Sequence, residues 1–488
     1  MRLPLTAQLL CAVGVAAMGL APAFADAVRP TVKTDSKPFE QALQEFFSGH
    51  HKESASRFYD VLQTTVSTDE NYAWAQYFLA RSFLNLELRH AAATYFSRIA
   101  RERTNPNVVP KALEMLRTLV DLPHDEVMID QQVFGALDLG SLPGTVGDFT
   151  SYQQGLMDLR ADNERWATTH FLKLTDGSVE ASRARFAVLV HRLKTQKDVP
   201  DEMISDFLEL SKDEKLSRET RNEGRLAVAR LRFERKDFAG ALAAYDMVKL
   251  PPLDPGRATL YLEEAWTRYH LGQLHASMGL LTTLDAPKFR DEFIPDKYIL
   301  RALIFRDLCH FLPAKRAARE LTRHYADSLE SIHERDDLTH DLRLRHAAEA
   351  HGATQRAHGF LRSLDAEGER VGRYTGSLGA PLTAHLTKLY DLSHAEAERV
   401  YQERLKEAVR AEADRLLRSA EQVRLVDYEV GLKLYERIKK GNKVIIPEEE
   451  ENLSPAQVGF RFDGEYWNDE LRNYRVSLKS RCVDESAL

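Results

Sequence analysis

A three-residue spacing recurs along this chain and limits what it can fold into. A small residue is followed twelve positions later by a second small residue, and four beyond that by a third residue, usually bulky. The spacing occurs at Ala42, Ser54, Phe58; at Ala80, Ala92, Phe96; and at Gly155, Ala167, Phe171. It returns at Ala229, Ala241, Tyr245; at Ala265, Ser277, Leu281; and at Ala302, Ala314, Ala318, where the third member lacks bulk. Successive third members stand 38, 75, 74, 36 and 37 residues apart. Two of these intervals are double the others, which predicts two degenerate units near 105–140 and 180–220. A period of this kind means stacked supersecondary units, none able to bury its apolar face alone.

The spacing has a physical origin in helix pairing. Small side chains at facing positions let two antiparallel helices approach closely, and the bulky residue fills the groove one turn on. In the clearest unit, NEGRLAVARLRFERKDFAGALAAYDMVKLPPLDP, the first helix is expected to run to about Arg235 and turn at Lys236–Asp237. The second then presents Phe238, Ala241, Leu242 and Tyr245 on one face, and Pro251–Pro252 stop it.

Leu79–Ala80, Phe83, Ala92 and Phe96, with Gly49 as a turn glycine, resemble the tetratricopeptide repeat. The resemblance covers residues 37–325, although the period is longer than that family's and several units lack its terminal proline. It implies an all-α fold, a right-handed helical-hairpin superhelix, to which the residues after the repeats add a long C-terminal helix and an irregular tail. It also implies a partner-binding groove lined by the first helix of each pair. Here those positions are Arg81, Asn85, Arg230, Glu234, Trp266 and His270.

Beyond the repeats (26–325), residues 326–380 carry scattered glycines. They are expected to be helical pieces joined by turns, with GRYTGSLGAP as a linker. A long charged helix follows over 381–441. Ser393 and Glu396 form a capping box, Val400, Leu405, Val409, Ala413, Leu416, Ala420 and Val423 form one apolar stripe, and Gly441 is a C-terminal stop. The helix mixes Glu and Arg, as in Asp414–Arg418, which suits a solvated face better than a membrane-seeking one. Its stripe caps the last repeat or pairs with another chain. Residues 442–488 form an aromatic tail. Its Glu448–Glu451 run is expected to be a solvated loop, and Phe462, Tyr466, Trp467 and Tyr474 are expected either to dock on the chain itself or to anchor a partner.

At the other end, Arg2, the apolar run Leu9–Leu20 and Ala23–Phe24–Ala25 form a signal-peptide pattern. Cleavage is expected after Ala25, and Leu10 before Cys11 does not suit a lipid attachment site. A retained anchor is the alternative, but the run is short for a membrane span. Cys309 and Cys482 then remain in an oxidising compartment. They are available for a disulfide, the alternative being that Cys309 is a buried small hydrophobe. The ending FDGEYW, DEL and YR over Phe462–Trp467, Asp469–Leu471 and Tyr474–Arg475 resembles that of secreted repeat proteins in deltaproteobacterial-type envelopes. This resemblance implies an envelope-complex component, of the gliding-motility type among others.

The chain carries no HExxH, GxSxG, phosphate loop, GxGxxG or CxxC. His50–His51 and His346 with His351 lack the companions of a metal site, so no metal or cofactor is expected. Glu263–Glu264 are helix neighbours whose side chains point about 100° apart, unlike a glycosidase pair. A net charge of −7 and a pI near 6.2 argue against nucleic-acid partners. The sequence therefore points to an exported, periplasmic, non-enzymatic scaffold for envelope proteins or peptide segments. The alternative is a superhelical cell-wall enzyme resembling lytic transglycosylases, although no compact catalytic domain follows the repeats.

Overall fold

A computed structural model describes residues 36–140, 142–196, 199–252, 254–439 and 472–482. The expected signal peptide, Cys11, the stop at Gly441, the Glu448–Glu451 run and the aromatics Phe462, Tyr466 and Trp467 lie outside them. Every regular element among the described residues is helical.

The repeats begin with α1 (Lys37–Phe47), α2 (His51–Thr64), α3 (Glu70–Asn85) and α4 (Arg89–Glu102). The first double-length interval holds α5 (Val109–Arg117) and a π-helical stretch, Val127–Gly135. Then come α6 (Gly144–Arg160) and α7 (Glu164–Phe171), with α8 (Val179–Thr195) and α9 (Asp201–Leu210) in the second double-length interval. The last hairpins are α10 (Arg218–Glu234) and α11 (Phe238–Asp246), α12 (Gly256–His270) and α13 (Leu274–Thr283), and α14 (Asp296–Asp307) and α15 (Phe311–His324). The helix α11 stops well before Pro251, earlier than the proline argument placed its end.

The spacing is a packing contact. All twelve small positions are buried, and the eleven that carry a side chain are fully so. Where the second small residue is serine, its hydroxyl reports the close approach directly: Ser54 Oγ donates to Ala42 O (3.3 Å) and Ser277 Oγ to Ala265 O (2.7 Å). The glycine at 155 has its own reason, since a Cβ there would lie 2.2 Å from the Phe171 ring.

A second register mark lies nine residues before each third member. Gly49, Glu87, Asp162, Lys236, Gly272 and Cys309 all have φ between +56° and +82°. Each follows the last turn of a first helix, and the next residue donates its N–H five residues back, as in Leu88 N to Phe83 O (2.8 Å) and His310 N to Phe305 O (2.8 Å). This is the Schellman closure, which satisfies the final carbonyls of the helix. Four of the six residues are not glycine and accept a left-handed conformation that costs roughly 1–2 kcal/mol.

After the repeats come α16 (Ala326–Glu334), α17 (Leu342–Glu349), α18 (Gly352–Leu378) and α19 (Ala380–Lys439). Two expectations are corrected here. The GRYTGSLGAP stretch is not a linker: α18 runs through Gly372 and Gly376, and the break falls at Gly379 (φ +77°). Ser393 does not cap a helix either, because α19 already starts at Ala380 and Ser393 Oγ instead meets His90 Nε2 at 2.7 Å.

The chain divides into two compact units. The N-terminal unit takes the repeats up to Arg221 with Gly352–Arg404, and the C-terminal unit takes Asn222–His351 with the chain from Leu405 onward. In the N-terminal unit α19 meets the repeats through Tyr95 OH–His385 Nε2 (3.1 Å) and Arg404–Glu126 (2.5 Å). In the C-terminal unit its stripe residues Leu405, Val409, Ala413, Leu416 and Val423 are buried, and Arg415, Asp427 and Glu429 pair with Asp296, Lys315 and Arg306. The stripe thus covers the chain's own repeats. No helix among the described residues is long and apolar enough to cross a membrane.

Candidate functional site

Residues 472–482 cross the last hairpins as a strap that turns at Arg472–Asn473 and carries no regular element from Tyr474 to Cys482. Arg472, Tyr474, Val476 and Leu478 are half-buried, and Asn473, Arg475, Ser477 and Lys479 between them are exposed, the alternation of an extended chain on a surface. The first anchor is electrostatic. The Arg472 guanidinium reaches both carboxylate oxygens of Glu264 on α12, Asp246 Oδ1 (2.9 Å) and Tyr245 O (3.4 Å) at the end of α11. Glu264 is fully buried, and burial raises its pKa against the opposing pull of Arg472.

The middle of the strap is held through main chain. Val476 N donates to His275 O (3.1 Å). His275 Nδ1 lies 3.0 Å from Val476 O and 3.2 Å from Leu478 N, so it has a partner in either tautomer: protonated it donates to the carbonyl, bare it accepts from the amide. Gly279 on α13 permits the approach, because a Cβ there would sit 1.7 Å from Tyr474 O.

The far end rests on the turn between α14 and α15. His310 Nε2 donates to Lys479 O (2.7 Å), Arg481 N donates to Leu308 O (2.9 Å), and Arg437 of α19 donates to Arg481 O (3.3 Å). Cys309 and Cys482 form a disulfide there, with Cα atoms 5.1 Å apart. Cys309 occupies the left-handed turn position, whose side chain is exposed at Glu87, Asp162 and Lys236. The hairpin geometry therefore presents its sulfur at a hairpin tip.

The six positions carried over from the repeat family fall in both units, and within the C-terminal unit Trp266 and His270 stack at 6.3 Å. Three of them are corrected. Arg81 is buried and bonded to Tyr77 OH (3.1 Å); Arg230 is buried and bidentate to Glu263 (3.1 and 3.2 Å); Trp266 is buried beside Tyr269. Asn85 is half-buried and donates to Arg81 O (3.1 Å). Glu234 and His270 are exposed, and His270 stacks on Phe238 at 4.6 Å. Long side chains just after the small residue turn inward wherever a neighbouring helix offers an acid or a ring.

Glu263 and Glu264 take different arginines, Arg230 and Arg472, as their helix angle demands. His50 pairs with Glu45 (2.9 Å) and His351 with Glu412 (2.6 Å), while His346 is exposed. Among the described residues no group of three or more His, Cys, Asp or Glu side chains is placed to hold a metal ion. A cleft of about 600 Å³ in the C-terminal unit is lined by Asp285, Arg301, Glu320, His324 and Arg343 among others. Several of its polar groups pair within it: Arg301 with Asp285 (2.5 Å) and Glu320 (3.5 Å), while Arg343 donates to His324 Nε2 (2.9 Å). Burial lowers the His324 pKa to about 4, which keeps that ring available as an acceptor.

No family model matches the sequence, and neither does any of the curated proteins with which it was compared.

Proposed function

We propose that this chain is a non-enzymatic periplasmic scaffold of the tetratricopeptide-like kind, holding segments of partner proteins within a cell-envelope assembly, of which gliding-motility machinery is one class. The observation that carries this reading is the strap: hairpins α11–α15 hold an extended protein segment through a buried ion pair and main-chain hydrogen bonds. Such contacts are those of peptide recognition by a preformed surface. Export rests on the n–h–c pattern of residues 1–25, and the envelope assignment rests on the FDGEYW-type ending.

Crosslinking the full chain in its host envelope, followed by recovery and identification of partners, tests the reading. Defined envelope proteins, crosslinked at mapped sites on the repeats, are expected. Protein recovered from the periplasm is expected to begin at Asp26. Clearing of a peptidoglycan suspension, lost on changing a single carboxylate, would replace the scaffold with a cell-wall enzyme.

A further inference from the structure

We propose that the path beneath residues 472–479 is a binding site for extended, arginine-bearing peptides of the pattern Arg-x-Tyr-x-Val-x-Leu, with the chain's own strap as its resident occupant. The proposal deepens the scaffold reading by naming the ligand chemistry of one site, and it rests on that reading. This site is not the first-helix groove that the repeat resemblance implies, since the strap runs over His275 and Gly279 of α13 and the α14–α15 turn.

Three features give the path its selectivity. The first is an arginine socket. Glu264 supplies two oxygens, Asp246 a third and the Tyr245 carbonyl a fourth, all to one guanidinium. A planar fork meets such a set better than a lysine ammonium does. Once vacated, the socket leaves the Glu264 carboxylate without the guanidinium that meets both of its oxygens in the strap. A bare charge there is costly, which favours refilling by a cation.

The second feature is the main-chain ladder at His275, which fixes an extended backbone without reading its side chains. The third is the alternation. Only every second side chain faces the protein, so Asn473, Arg475, Ser477 and Lys479 impose no requirement on a competing peptide. The covalent tie lies beyond this stretch, at Cys482, so the occupant of the path is held by a bond that is separate from the recognition contacts.

The test uses the full chain and a fluorescent peptide RNYRVSLK, identical to residues 472–479. The double variant Arg472→Glu, Cys482→Ser places like charge against Glu264 and removes the tie. This variant is expected to bind the peptide saturably, whereas the oxidised wild type is not. Reduced wild-type protein provides a second arm that needs no substitution, and weaker but saturable binding is expected there. Adding Glu264→Gln to the double variant, or placing alanine at the peptide's first arginine, is expected to weaken binding at least about tenfold, as losing one partner of a buried charge pair does. A peptide with inward and outward residues exchanged pairwise is expected not to bind. Absence of saturable binding in both arms would overturn the proposal, as would equal binding of the exchanged peptide or no effect of Glu264→Gln. Failure here, with partners still crosslinked elsewhere on the repeats, would remove this site and leave the scaffold reading standing.

Discussion

In the N-terminal unit, the helices that follow the repeats meet α4 through side chains that titrate. In the C-terminal unit, α19 meets α14 and α15 through ion pairs, and a strap is added by a covalent bond. Glu367 of α18 accepts from Tyr390 OH (2.6 Å) and His90 N (2.9 Å), and His90 Nε2 meets Ser393 Oγ (2.7 Å). All three of Glu367, His90 and Tyr390 are buried. The corresponding contacts of the C-terminal unit are Arg415–Asp296, Lys315–Asp427 and Arg306–Glu429, with Cys309–Cys482 beyond them. One scaffold of hairpins is thus covered in two ways, one sensitive to protons and the other to thiol reductants.

The largest expected effect lies with the disulfide. Its partners are 173 residues apart, so on chain entropy the bond stabilises the fold by up to about 5 kcal/mol. Cys482→Ser, or reduction, is expected to lower the denaturant midpoint and to expose the amides of Val476 and Arg481 to hydrogen exchange. Amides around His90 in the N-terminal unit are expected to keep their protection. An unchanged midpoint, or two free thiols titrated in the unfolded, unreduced chain, would break the contrast.

Next in size is the proton-linked pair. Burial raises the Glu367 pKa to about 7 and lowers that of His90 to about 4. A raised carboxyl contributes stability that is present below its unfolded pKa and is lost as pH rises through about 7. A lowered histidine contributes stability that is present above its unfolded pKa and is lost as pH falls through about 4. Each shift corresponds to about 3 kcal/mol. The two oppose each other between about pH 4.5 and 6.5, with Tyr390, Arg89 and Arg370 nearby as further charged or polar neighbours of Glu367. Glu367→Gln is therefore expected to be more acid-sensitive than wild type across that window, and His90→Asn to lose stability as pH rises toward 7. Parallel pH profiles for both variants and wild type would show that the cluster does not titrate in this way.

Much of the hairpin architecture was legible because the small–small–bulky frame is a direct image of helix contact: both small members of every triplet are buried. The two double-length intervals were legible as missing units, yet not as a π-helical stretch, since nothing in VMIDQQVFG departs from an ordinary helical pattern. Gly372 and Gly376 do not make a linker, because glycine inside a helix costs only about 1 kcal/mol and packing overrides it. For the candidate site, the two cysteines were legible as a pair available for a disulfide. The inward set Arg472, Tyr474, Val476, Leu478 stands in the sequence as a period of two, but so short an alternation does not say which surface it covers. Glu264 could not be read as a socket, because its partner lies 208 residues away.

Two glycines sharpen the contrast between the units at a smaller scale. Gly279→Ala sets a Cβ against the Tyr474 carbonyl, which the strap can relieve only by lifting. It is expected to increase exchange at Val476 and Leu478 while leaving helix content unchanged. Gly155→Ala sets a Cβ against the Phe171 ring, and overpacking of this kind costs about 1–3 kcal/mol. Its effect is expected in the N-terminal unit alone, with Phe171→Leu recovering part of the loss. Recovery of strap protection in Gly279→Ala by the same second substitution would contradict the separation.

The smallest effects are expected at the two serines of the repeat frame. Ser54 and Ser277 hold the position that four other units fill with alanine, at Ala92, Ala167, Ala241 and Ala314. Alanine therefore fits the close helix approach, and Ser→Ala removes only a hydroxyl hydrogen bond, worth about 1 kcal/mol. The bond of Ser277 to Ala265 O is the shorter, at 2.7 Å against 3.3 Å for Ser54 to Ala42 O. Ser54 Oγ also lies 3.2 Å from Ser82 Oγ, but Ser82 keeps its own bond to Phe78 O (2.9 Å) when Ser54 is truncated. Ser277→Ala is accordingly expected to cost more than Ser54→Ala, both below about 1.5 kcal/mol. Valine at either site adds bulk where two helices touch and is expected to cost more than alanine, by overpacking. Equal tolerance of alanine and valine in denaturant melts would mean that the frame marks composition and not contact.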